Sequence, residues 1–147
     1  MYINIESKLA YESINDIVSS NDMEYLSGVV VGRSDFISSF GLTKDKTDSD
    51  ECFEMVREIF LASKSRNKTT LMGGNINTDS KDFIERLYKS NLLDYIETRN
   101  VKVKLSDSFL DNYIQNLSNM LEFESSILKH KSSTLDLLSM NDKKRLD

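Results

Sequence analysis

Four times along the chain a short apolar run gives way to a polar turn and then to apolar residues at helical spacing, and that alternation leaves few folds open. Residues 2 to 6 read as a strand, after which Leu9, Ala10, Ile14, Ile17 and Val18 recur at helical spacing to about residue 19. The run 28 to 32 is apolar and mostly β-branched at consecutive positions, as expected of a strand covered on both faces. A loop over 33 to 50 follows, and then a helix carrying Cys52, Phe53, Val56, Ile59 and Phe60 inward. Thr69-Thr70-Leu71-Met72 forms a third strand running into Gly73-Gly74, and Thr78-Asp79-Ser80 caps a helix bearing Phe83, Ile84, Leu87 and Tyr88. Leu93 to Ile96 makes a fourth strand ending at Glu97-Thr98-Arg99. Val101, Val103 and Leu105 then alternate with lysines, either as a half-exposed strand or as an extension of the fourth. From Ser106 an amphipathic helix runs to about residue 130 on Leu110, Tyr113, Ile114, Leu117, Met120 and Leu121, and a shorter helical stretch follows Ser133.

Strands alternating with helices imply an α/β fold of parallel βα units joined by right-handed crossovers. Residues 1–105 would form these units, and 106–147 a helical tail packed on them or on a partner. In a parallel sheet the strand ends of one polarity share a rim, so Glu6, after the first strand, and Asp35, after the second, can meet there. Two hard oxygen donors suit a Mg²⁺ or Mn²⁺ that keeps several waters and shares other positions with substrate oxygens. Each acid also has a structural role open to it: Glu6 on the first-turn amides of the next helix, Asp35 in an Asx turn. Arg33 reads as a clamp for a substrate carboxylate or as the partner of a loop acid. Gly73 and Gly74 admit a ligand against the backbone or simply permit a turn. Glu97 and Arg99 are expected to pair with each other, Lys129-His130-Lys131 to be a solvated helix end, and Cys52 to be a small core residue.

The chain has 147 residues and 39% hydrophobic content, enough for the core of one domain. Its formal charge of -5, with lysines and arginines dispersed among acids, offers no basic face for nucleic acid. No apolar run approaches the ~20 residues that span a bilayer, and Met1-Tyr2-Ile3 enters a strand without a charged leader. A single cysteine excludes an internal disulfide. The expectation is a cytoplasmic protein with neither nucleic-acid nor membrane partners.

The segments INIES, GVVVGRSDFISSFG, TLMGGNI and DYIETR, in this order, resemble the second half of the HpcH/HpaI aldolase and citrate lyase β-subunit family over about residues 2 to 105. That resemblance implies four βα units equivalent to the second half of a (β/α)8 TIM barrel, a fold that typically needs ~250 residues when whole. It implies metal binding by Glu6 and Asp35 and substrate binding by Ser34, Asp35, Asn4 and Arg33. Asn4 stands where the family usually has Gln, and Arg33 where it commonly has Pro. The activity implied is a metal-dependent carbon–carbon lyase reaction on a 2-oxo acid or related carboxylate, through a metal-stabilised enolate, with the Ser34 and Asp35 amides holding the substrate carboxylate. The family's substrate-binding Arg and acid/base His belong to the four strands not represented here, and His130 does not match that role. An open half-barrel would expose its inward face, so a homo-oligomer or a missing N-terminal half is the expected partner. The alternative is a noncatalytic, oligomerising interaction protein.

Overall fold

The computed structural model describes the backbone of residues 1–143 and the side chains of residues 1–132. In chain order the elements are β1 (Tyr2–Ile5), α1 (Lys8–Glu12), α2 (Ile14–Ser19), β2 (Gly28–Gly32), α3 (Arg33–Ser38), α4 (Asp50–Ser65), β3 (Thr69–Gly73), α5 (Lys81–Lys89), β4 (Tyr95–Glu97), β5 (Lys102–Lys104), α6 (Asp107–Asp111) and α7 (Tyr113–Lys143). The strands lie side by side in sequence order; β1 to β4 are mutually parallel, and β5 returns antiparallel on the outer edge of β4. The α/β class and the four βα units thus stand as the sequence implies.

Hydroxyl side chains start several of the helices. Ser7, Ser49 and Ser106 each accept a hydrogen bond from the backbone N–H three residues on, and Asn77 forms a capping box with Ser80 ahead of α5. One face of the sheet packs on the helices: Ile5, Val29, Val31, Met72 and Ile96 join Val56, Ile59 and Phe60 of α4 and Phe83, Ile84 and Leu87 of α5 in a single core. Each such aliphatic side chain removed from water contributes about 1.5–3 kcal/mol.

The opposite face of the strands is lined in turn by Asn4 and Glu6, by Val30 and Gly32, by Leu71 and Gly73, and by Tyr95 and Glu97. Val30 and Leu71 are buried yet stand outside the helix-side core. Toward the two edges, Lys102 places its ammonium 4.3 Å from the ring centres of both Tyr2 and Tyr95 and donates to the Tyr2 hydroxyl at 3.1 Å. A residue of β1 and a residue of β5 therefore touch across the sheet. The expectation that the inward face lies exposed is corrected accordingly: its aliphatic residues are covered within the chain.

Other differences concern element ends. The expected loop after β2 opens with α3, because Phe36 and Ile37 are fully buried and hold the turn against the core until Gly41 (φ 77°) ends it. The helix expected over 9–19 is two, broken at Ser13, since Leu9 is exposed while Ile14 and Val18 are buried. The long helix after Ser106 breaks at Asn112 and then runs unbroken from Tyr113 to Lys143, so no separate stretch begins at Ser133. Ile114 and Leu121, read as inward, are exposed. The side chains of Leu135, Leu137 and Leu138 lie outside the described residues.

The rim at the start of the strands is held by Asp94. Its carboxylate accepts from the Thr70 amide at 2.8 Å, the Thr70 hydroxyl at 3.1 Å and the Lys64 ammonium at 2.6 Å. Burial works against the charge there, but the Lys64 and Thr70 hydrogen bonds outweigh it and keep the carboxyl below its ordinary range.

Candidate functional site

At the other rim, where the parallel strands end, a cleft of about 670 Å³ opens. Register explains its shape. Gly32 pairs with Gly73, and the adjoining pairs Ile5–Val31 and Met72–Ile96 put Glu6 beside Gly32 and Glu97 beside Gly73. A row therefore runs carboxylate, glycine, glycine, carboxylate across four strands. A Cβ on Gly32 would lie 2.6 Å from Glu6 Oε1, and one on Gly73 would lie 3.2 Å from Glu97 Cγ, so both acidic side chains lean over the glycines. Only residues without side chains leave the two carboxylates room to lie there.

Asn4, two residues before Glu6 and on the same side of β1, donates from Nδ2 to Glu6 Oε1 at 3.2 Å and steadies the carboxylate. Ser34 and Asp35, in the first turn of α3, line the same cleft. The Asp35 carboxylate has no hydrogen-bond or ion-pair partner among the described residues. The structure thus brings Asn4, Glu6, Ser34 and Asp35 together on one surface.

Arg33 is the exception. Its side chain is fully buried and does not line the cleft; it pairs with Asp48 and donates to Thr47 O at 3.1 Å, Ser80 Oγ at 3.1 Å and Asn75 O at 3.3 Å. Of the two readings of Arg33, the pairing with a loop acid holds and the substrate-carboxylate clamp is corrected, because a guanidinium sharing a buried site with Asp48 is already neutralised there. Glu97 and Arg99 form no ion pair with each other among the described residues. Burial pushes the Glu97 carboxyl above its ordinary range, the Lys102 ammonium opposes that rise, and the charge on Glu6 adds to it. Glu97, Lys44, Asn75 and Arg99 all line the cleft. Of these, Glu97 was legible by the same criterion as Glu6, an acid closing a parallel strand; Lys44 and Asn75 carry no such signal, because loop closure places them.

Gly74 (φ 78°) turns the chain after β3, and a Cβ there would stand 2.6 Å from the backbone nitrogens of both Arg33 and Ser34. The turn thus packs directly on the start of α3. Cys52 is fully buried, and burial pushes its thiol up to about 12, which makes it inert as a nucleophile. His130 lies exposed on α7 and does not line the cleft.

Among the described residues no group of three or more His, Cys, Asp or Glu side chains is arranged to hold a metal ion. Glu6 and Asp35 supply two hard oxygen donors on an open surface, a donor set of the kind that suits a cation retaining water rather than one caged by protein. No described helix is long and apolar enough to cross a membrane.

No family model matches the chain, and no curated protein matches it either. Among solved structures, it is similar to the crystal structure of a variant of the citrate synthase SbnG, with a TM-score of 0.54 and 17% identity over 99% of this chain and 49% of that one. It is likewise similar to the crystal structure of citrate synthase SbnG, with a TM-score of 0.52 and 18% identity over 90% of this chain and 45% of that one. At such identity the likeness shows the fold alone: the chain has the architecture of TIM-barrel citrate synthases and spans about half their length.

Proposed function

We propose that the cleft binds a divalent cation, Mg²⁺ or Mn²⁺, through Glu6 and Asp35, and serves a carbon–carbon lyase reaction of the HpcH/HpaI aldolase type on a 2-oxo acid or a related carboxylate. The observation that carries this reading is the placement of Glu6, Asp35, Ser34 and Asn4 on one surface at the C-terminal ends of parallel strands, where enzymes of this architecture carry their chemistry. Likeness to TIM-barrel citrate synthases supports an enzyme-like origin at the level of fold.

When bound, the cation would act as a Lewis acid on the substrate's keto oxygen. Glu6 and Asp35 would hold it, and Asn4 keeps the Glu6 carboxylate aimed. The amides of Ser34 and Asp35 would receive the substrate carboxylate. Arg33 takes no part in that contact.

Exchange of the pyruvate methyl protons in D₂O with Mg²⁺ present, followed by proton NMR, tests the chemistry. The full chain should catalyse exchange, and Glu6→Gln or Asp35→Asn should abolish it. Exchange no faster than in buffer with Mg²⁺ alone would overturn the reading.

A second reading, a noncatalytic chain that assembles with a second copy, is favoured by one observation. Ile114, Leu121 and Leu128 are exposed at seven-residue intervals along α7 and form an apolar stripe on one side of the helix.

A further inference from the structure

Arg33 is among the largest side chains buried completely in the protein, and it is a charged one. An ionised group out of water is tolerated only where partners surround it. Those partners come from two loops far apart in sequence. From the loop before α4, Thr47 gives its carbonyl and Asp48 its carboxylate; from the loop before α5, Asn75 gives its carbonyl and Ser80 its hydroxyl. The loops are also bonded to each other, with Asn75 Nδ2 donating to Thr47 Oγ1 at 2.9 Å and Ser80 Oγ to Asp48 Oδ2 at 3.2 Å. Thr47 Oγ1 in turn donates to the Lys44 carbonyl at 2.9 Å. The Phe83 ring lies 4.9 Å from the guanidinium, and the guanidinium Nε has no hydrogen-bond partner.

Each of the two loops this guanidinium holds reaches the cleft. Lys44 reaches it from the first loop and Asn75 from the second, while the backbone of Arg33 leads straight into Ser34 and Asp35. Gly74 is pressed on the backbone nitrogens of Arg33 and Ser34. We propose that Arg33 is a positioning residue for the cleft: by clamping both loops onto the start of α3, it fixes the direction in which Ser34 and Asp35 face a ligand. The inference rests on the cleft being the ligand site proposed above. This one side chain ties three segments together.

The test uses the full chain with Arg33→Gln and, as a milder variant, Ser80→Ala, which removes one partner and leaves the Arg33–Asp48 pair. Two readings are taken: hydrogen exchange of the amides in 43–48 and 75–80, and the affinity of the Mn²⁺-loaded protein for oxalate. The core variant Ile59→Val serves as the control for lost stability. Arg33→Gln should loosen both loops together and weaken oxalate at least about tenfold, Ser80→Ala should do the same to a smaller degree, and Ile59→Val should change neither reading. Oxalate affinity unchanged in the folded Arg33 and Ser80 variants, or loops that loosen one without the other, would overturn the proposal. Should the unaltered chain take up neither Mn²⁺ nor oxalate, the functional reading fails by itself, and the exchange data still decide whether Arg33 unites the loops.

Discussion

At the scale of single residues, the cleft is made by what is missing as much as by what is present. Glu6 and Glu97 carry the charge, but Gly32 and Gly73 between them make the space. The acids closing strands were readable from the alternation of apolar and polar residues. The trough was not, because it requires knowing that residues 32 and 73 stand opposite each other. Arg33 shows the limit in the other direction: its charge and place in the chain fit a substrate clamp and the partner of a loop acid alike, and only packing decides for Asp48. Glu97 has a consequence for pH. Its carboxyl is raised from the ordinary 4.5, mainly by burial, so the folded state holds its proton more tightly than the unfolded chain does. Stability from this group is present below the unfolded value and is lost as pH rises through the folded one. Replacing Glu97 by Gln should therefore flatten the decline in urea midpoint above about pH 4.5, measured against the parent chain. An unchanged profile would remove Glu97 from the account.

At the scale of elements, the strands were the most legible part, since each is a short apolar run bounded by glycine or polar turn residues. The longer helices were legible, but neither their breaks nor their number was. Ser13 and Asn112 interrupt apolar periodicity that continues on either side, and α3 was hidden because six residues are too few to show a period. The joints between elements give a paired prediction. Gly74→Ala puts a Cβ 2.6 Å from two backbone nitrogens at a positive φ, which the backbone cannot relieve cheaply, so a loss of about 1–3 kcal/mol by chemical denaturation is expected. Gly32→Ala meets instead the tip of Glu6, a side chain free to move. Its stability should stay within about 1 kcal/mol of the parent's, the size of the strand penalty that losing a Gly relieves, while metal affinity falls because Glu6 is displaced. Equal effects of the two substitutions on stability would contradict this distinction.

At the scale of the whole molecule, four parallel strands and a returning fifth form a curled sheet whose inward aliphatic residues are covered without a partner. The Lys102 bridge between Tyr2 and Tyr95 joins the two sides of the curl. An oligomer is therefore not required to shield that face, and the argument for one moves to the exposed stripe on α7. Sedimentation equilibrium separates the readings: a dimer that Ile114→Glu dissociates supports assembly through α7, and a monomer at all accessible concentrations argues against it. The central claim is narrower, that Glu6 and Asp35 hold a divalent cation in the cleft. Calorimetric titration of Mn²⁺ into the full chain with oxamate present measures it most directly. The account predicts one saturable site, weakened at least about tenfold in Glu6→Gln and in Asp35→Asn. No uptake by the parent chain, or variants that bind as tightly as the parent, would contradict it.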